Sequence, residues 1–273
     1  MNAQKKLEVL EGIVKNTGGM AIAFSGGVDS SFLAAVAQRV LGGRALAVTA
    51  LSPTYSAREQ EEAARVARKI GIRHETVVSN ELEIPCFADN PPDRCYHCKK
   101  ELFDVVRGVA AKHGIAAIAH GANADDRSDY RPGQLAAEQG GALSPLMDVG
   151  LGKEEIRALS REMGLPTADK PAMACLASRF PYGSRITREA LEAVDKVEEA
   201  LKGWGFRQVR VRHHGDIARI EVPAEEIAGC LDETLREKIV RAAREAGFLY
   251  VTLDLQGYRT GSMNEPLNRR TSA

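Results

Sequence analysis

The chain has 273 residues, and its 37 lysines and arginines equal its 37 aspartates and glutamates, for a formal net charge of zero. That balance excludes a globally cationic nucleic-acid or membrane binder, so any polyanion site must be local. The amphipathic start, Met1 to Gly19, has no long apolar core and no stretch reaches bilayer length, while five cysteines are an odd count for a disulfide framework; a cytoplasmic protein with metal-binding or catalytic thiols is expected.

In chain order, a helix is expected at about Gln4 to Lys15. An apolar run, Met20 to Phe24, then reads as a buried strand, and Val28 to Val40 as a helix with Phe32, Leu33, Val36 and Val40 on one face. Between them lies Ser25-Gly-Gly-Val-Asp-Ser-Ser31. Gly26 and Gly27 clear the backbone for a phosphate, the helix start faces the anion, and Ser25, Ser30 and Ser31 add hydroxyls. The string resembles the PP-loop of the ATP pyrophosphatase superfamily, which implies cleavage of ATP to AMP and pyrophosphate; a bland helix cap of Gly, Ser and Asp is the competing reading.

Further strands are expected at Arg44 to Leu51, His74 to Val78 and Ala116 to His120, and helices at Tyr55 to Ile70, opened by Ser56, and at Arg94 to His113, capped by Asp93. Asn80 to Asp93, with three prolines, reads as irregular. This alternation predicts an α/β fold, a parallel sheet covered on both faces, with ligands beyond the carboxyl ends of its strands. A short strand within Ala142 to Met147, a helix from Lys153 to Met163 ended by Gly164, and an irregular functional loop from Thr167 to Tyr182 follow. A helix (Thr187 to Trp204), two strands (Gln208 to His213, Ile217 to Val222), a helix (Leu231 to Ala246) and a strand (Tyr250 to Asp254) make a second, smaller α/β domain. The boundary is set at 183, giving 1–183 and 184–273, with a frayed tail from Asn268.

Cys95 and Cys98 open a helix, whose dipole lowers thiol pKa values, and Cys175 lies in the irregular loop. Three thiolates suit a [4Fe–4S] cluster with one open iron; a structural zinc, a redox disulfide or unrelated buried thiols are the alternatives. Cys86 and Cys230 read as ordinary buried residues. Arg210 and Arg212 alternate on a strand and so share a face, suited to phosphate or carboxylate or simply to solvent. Arg179 and Arg185 flank the Cys175 loop, Glu221 could face the same cleft, Glu198 reads as a surface charge, and His213 and His214 point to opposite faces.

The PP-loop, Arg94-Cys-Tyr-His-Cys-Lys99, the run from Gly121 to Gly133, Cys175-Leu-Ala-Ser-Arg179 and the segment from Asp254 to Glu265 together resemble the LarE sulfur transferases over nearly the whole chain. The resemblance implies an enzyme that adenylates a carboxylate of a pyridinium mononucleotide and converts it to a thiocarboxylate of the nickel-pincer nucleotide, the cofactor of lactate racemase. It implies a homo-oligomer, a hexamer, and a separate sulfide source. Two sulfur routes exist in the family, a sacrificial cysteine at the position of Cys175 or a [4Fe–4S] cluster on that cysteine and a CxxC; this chain has all three cysteines, which favours the cluster. By the same resemblance Ser25, Gly26, Gly27, Asp29 and Ser30 bind the ATP phosphates and Mg²⁺, and Gly121, Asn123 and Asp125 lie beside the nucleotide. Ser178, Arg179, Arg210 and Arg212 hold the substrate phosphate, with Glu221 at an acidic cleft position; Lys99 neutralises pyrophosphate or acyl-adenylate, and Arg259 has no assigned role. A tRNA-thiolating PP-loop enzyme is the main rival, against which stands the want of a basic patch with interleaved aromatics. An amidotransferase would leave the cysteines idle, and a nucleotide sensor with structural zinc is the non-enzyme alternative.

Overall fold

A computed structural model describes residues 1–128, 132–171, 174–259 and 261–265. Their packing separates two units, Met1–Phe87 with Asp93–Met173, and Ala88–Pro92 with Ala174–Ala273; the sequence expectation divides the chain at residue 183. The expected frayed tail lies outside the described residues.

In the first unit, α1 (Ala3–Asn16) starts where the Asn2 side chain accepts the Lys5 amide, and it buries Leu7, Leu10 and Val14 at helical spacing. Strand β1 (Met20–Ala23) is buried at every position, as the centre of a parallel sheet must be. Helix α2 (Val28–Leu41) returns to β2 (Ala45–Leu51), and α3 (Ala57–Ile70) to β3 (Arg73–Val78). Ser56 caps α3 and Gly71, at φ 77°, ends it. After the short α4 (Pro85–Ala88) and the long α5 (Arg94–Lys112) comes β4 (Ala117–Ala119), giving an all-parallel order β3-β2-β1-β4. The period of two in β1 divides the core: Met20 and Ile22 join Leu10, Phe32, Leu33 and Ile156 on one face, while Ala21 and Ala23 join Phe103, Val106 and Val109 on the other. Helices α6 (Pro132–Gln139), α7 (Pro145–Asp148) and α8 (Lys153–Glu162) complete the unit.

Three expectations are corrected here. The segment 80–93 is not wholly irregular: it holds a helical turn at Glu81–Glu83 and then α4, because proline is tolerated at the first position of a helix. The strand expected at Ala142 to Met147 reduces to a single parallel bridge from Leu143 to Ala119, after which Pro145 opens α7. Asp93 stands at the cap position of α5 but its side chain makes no capping hydrogen bond.

In the second unit, α9 (Arg188–Gly203) is capped by Thr187. It precedes an antiparallel pair, β5 (Arg210–His214) and β6 (Ile217–Glu221), and α10 (Glu233–Glu245) crosses over to β7 (Tyr250–Leu253), parallel to β6. The five residues 88–92 pack with this unit through Asn90, fully buried at φ 57°, whose side-chain amide donates to the carbonyls of Phe180 and Pro181. Asn is among the few residues that adopt this left-handed conformation at modest cost. Among the described residues no helix is long and apolar enough to cross a membrane.

Candidate active site

The loop after β1 is shaped by steric necessity. Gly26 has φ 67°, and a Cβ there would fall 2.7 Å from Ala63 Cα, so only glycine lets the loop turn against α3. Gly27 is the cap of α2 and supplies no side-chain acceptor, which leaves the amides of the first turn for an anion. Ser25 Oγ lies 3.2 Å from Ser30 Oγ, and Ser30 Oγ reaches the Gly27 carbonyl at 3.3 Å, so the two hydroxyls brace the loop. Ser31, counted with them in the sequence, is fully buried on the core face of α2 and does not face a ligand.

The loop after β4 approaches the same point. A Cβ on Gly121 would fall 2.8 Å from the Ser30 amide nitrogen, so the absence of a side chain sets how closely this loop passes the start of α2. Asn123 is buried and accepts the Asp125 amide at 2.9 Å. Asp125 accepts the Lys153 amide at 2.8 Å, tying the loop to the start of α8. Asp29, on the first turn of α2, accepts the Lys153 ammonium on Oδ2 at 2.6 Å, whereas its Oδ1 is buried with no hydrogen-bond partner. A carboxylate oxygen in that condition costs stability until a donor or cation reaches it, so the site fits a divalent ion carried with ATP. Lys170 reaches the Gly26 carbonyl and Glu62, each at 3.0 Å.

Lys99 lies half-buried on α5, its ammonium 5.8 Å from the Phe103 ring centroid. Burial, with the charge of Lys99 second, lowers the His120 pKa to about 3, so His120 is neutral and meets Ser144 Oγ at 2.8 Å. The Phe103 ring beneath Lys99 meets the His120 ring edge-on, 5.4 Å between centroids, just past the carboxyl end of β4. Near the start of α5, Cys95 is exposed and Cys98 half-buried, with Cys98 Sγ 3.8 Å from Glu81 Oε1. Cys86 is exposed rather than buried, because it lies on the outer side of the short α4, while Cys230 is buried as expected. Among the described residues no disulfide joins two cysteines, and no three His, Cys, Asp or Glu side chains are grouped to hold a metal.

The half-buried Cys175 belongs to the second unit, next to a turn at Leu176–Arg179. Arg179 donates to both oxygens of Glu198 at 2.8 Å and to the carbonyls of Ala174 and Cys175. Glu198 is fully buried, which corrects its reading as a surface charge; it also accepts the Val211 amide. Arg212 bonds Glu221 at 2.6 Å and the Ser178 carbonyl at 3.0 Å, and Arg219 bridges Glu221 and Asp254. Arg210 has no carboxylate partner among the described residues and lies 5.4 Å from the Tyr258 ring centroid. Burial, and then the charge of Arg179, pushes its guanidinium below the ordinary value. Arginines 179, 210, 212 and 219 against Glu198, Glu221 and Asp254, four charges against three, leave one positive charge over. Arg185 is exposed, 3.9 Å from Asp89, and Arg259 pairs with Glu265. His213 stacks on Phe180 and His214 is exposed, as opposite strand faces require.

A phosphate loop between the central strand of a parallel sheet and its helix, with an acidic residue on the first helical turn, defines an ATP-pyrophosphatase type of nucleotide site. Residues 14–103 match the asparagine synthase family. The chain is 44% identical to an uncharacterised protein of Synechocystis sp. over 97% of this chain and 99% of that protein. It is 36% identical to the pyridinium-3,5-bisthiocarboxylic acid mononucleotide synthase of Lactiplantibacillus plantarum, over 97% of this chain and 95% of that enzyme. An uncharacterised protein of Methanocaldococcus jannaschii is 28% identical over 88% of this chain and 90% of its own length. The chain belongs to the LarE family of ATP-dependent sulfur transferases.

Lys153 and Lys170 were not among the residues singled out in the sequence. Lys153 carried a signal: a lysine at the first position of a helix opposes the dipole and calls for an anionic partner. Lys170 carried none, since its partners, Gly26 and Glu62, lie over a hundred residues earlier in the chain.

Proposed function

We propose that this enzyme adenylates a carboxylate of a pyridinium mononucleotide and exchanges the activated oxygen for sulfur. The observation that carries the reading is Asp29, set on the first turn of α2 beside the glycine loop with one buried oxygen that has no hydrogen-bond partner. ATP with Mg²⁺ binds at Ser25, Gly26, Gly27, Asp29 and Ser30, with Gly121, Asn123 and Asp125 beside the nucleotide. The substrate carboxylate attacks the α-phosphorus, pyrophosphate leaves, and the carboxyl carbon becomes the electrophile of an acyl phosphate anhydride. Lys99 neutralises charge developing on the phosphates. The substrate phosphate is held at the arginine cluster, by Arg210 above all, with Ser178, Arg179, Arg212 and Glu221 forming the frame around it.

Thiolates are the usual ligands of an iron–sulfur cluster, and Cys95 and Cys98, three apart at the positive end of α5, have that donor chemistry. Cys95, Cys98 and Cys175 would hold a [4Fe–4S] cluster, which would supply sulfide. A second reading has support of its own. The backbone beside Cys175 is fastened by Arg179, in the same unit as the arginine cluster, which suits a Cys175 thiolate that itself attacks the acyl carbon. The thioester would then lose its Cα proton and break its Cβ–S bond, leaving dehydroalanine and a thiocarboxylate.

Iron and acid-labile sulfide on protein purified without oxygen separate the two. About four of each per chain, lost in Cys95→Ala, is the expected result. Zinc or no metal would overturn the cluster reading and leave Cys175 as the donor.

A further inference from the structure

The segment from Asp254 to Glu265 carries part of the family resemblance, yet none of its residues enters the chemistry proposed above. Its backbone is fastened to the end of β6. The Asp254 amide donates to the Ile220 carbonyl and the Tyr258 amide to the Val222 carbonyl, each at 2.8 Å, while Arg219 holds the Asp254 carboxylate. Gly257 makes this approach possible: its φ is 70°, and a Cβ there would fall 2.9 Å from the Val222 carbonyl oxygen. The turn sets the Tyr258 ring beside β5, with the Arg210 guanidinium 5.4 Å from its centroid. Tyr258 is half-buried, and its hydroxyl has no hydrogen-bond partner among the described residues. Arg210 donates to the Val209 carbonyl and makes no other hydrogen bond among the described residues, which leaves most of its N–H donors unused.

We propose that Tyr258 is a specificity-determining residue that stacks on the pyridinium ring of the substrate. This rests on the reading above in which Arg210 holds the substrate phosphate. A mononucleotide carries its ring one ribose away from its phosphate, so a phosphate on Arg210 brings the ring within reach of the side chain next to Arg210. The face of a tyrosine ring is electron-rich and attracts cations, and pyridinium is both a cation and a flat ring. Neighbouring arginines repel a cationic ring, and the bound phosphate together with the tyrosine face offsets that repulsion. No bond forms or breaks in the stack, and no proton moves.

The test is calorimetric binding of two probes to the full chain without ATP. One is nicotinic acid mononucleotide, a pyridinium mononucleotide with a single carboxylate; the other is ribose 5-phosphate, which has the phosphate and no ring. Tyr258→Leu should weaken the mononucleotide by roughly 10-fold and leave ribose 5-phosphate unchanged, whereas Tyr258→Phe, which keeps the ring, should bind both as the wild type does. Equal losses for both probes would mean that the ring only supports Arg210, and would overturn the proposal, as would unchanged mononucleotide affinity in Tyr258→Leu. Where leucine prevents folding, Tyr258→Trp is titrated with the mononucleotide instead. A stacked indole and pyridinium give a charge-transfer absorption that neither gives alone, and saturation without that band overturns the proposal. Arg210→Met separates the underlying reading: full affinity for both probes there, or wild-type protein that binds neither, would remove the substrate phosphate from Arg210 itself.

Discussion

Asp29→Asn is expected to reduce carboxylate-dependent AMP formation by about 10³-fold, because a metal ligand at the phosphates is worth several kcal/mol of transition-state charge stabilisation. The substitution is nearly isosteric and Asp29 sits at the start of α2 rather than in its core, so the melting temperature should move little. The pair with Lys153 is partly exposed, and such pairs contribute at most about 1 kcal/mol to stability. Catalysis and folding are therefore separable at this position. Following AMP and pyrophosphate by chromatography checks the expectation, and normal AMP release from Asp29→Asn would remove the phosphate loop from the chemistry.

Cys175→Ala is the second large effect. Thiocarboxylate formation should fall to background, since both sulfur routes pass through this residue, while adenylation continues at the rate at which water hydrolyses the acyl-adenylate. The split between the two products matters more than the loss itself. Cys175 is half-buried beside a turn whose carbonyls are held by Arg179, and alanine fits that backbone. Loss of both AMP and thiocarboxylate would mean that the residue acts by holding structure. Full activity would exclude both sulfur routes. Mass analysis of the wild-type protein after turnover adds the distinction between donors, for a sacrificial cysteine loses the elements of hydrogen sulfide.

What was legible in the sequence follows from whether the information is local. The phosphate loop, β1 and α2 are one continuous segment, so glycine placement, apolar run and helical spacing could be read together. The parallel sheet follows from alternation of strands and crossover helices, and its order β3-β2-β1-β4 puts the loop at a central strand. Lys153 and Lys170 reach Asp29 and Gly26 across the fold, and no local pattern encodes that pairing. Glu198 is a different failure. Leu191, Val194, Glu198 and Leu201 stand at spacings of three and four, which puts the glutamate on the buried stripe of α9, although its charge alone points to the surface. Its burial is tolerated because Arg179 meets both of its oxygens and the Val211 amide adds a third hydrogen bond. Cys86 erred the other way, since a four-residue helix gives too little periodicity to say which side faces solvent.

Attack of a substrate carboxylate on the α-phosphorus of ATP is the claim from which everything else follows, and it has an isotopic signature. Turnover of a pyridinium mononucleotide whose carboxylate carries oxygen-18, with ATP, Mg²⁺ and sulfide, should deliver one heavy oxygen to the phosphate of AMP, together with a thiocarboxylate product. AMP formed without the label would mean that water, and not the carboxylate, opens ATP at this site, and would contradict the account.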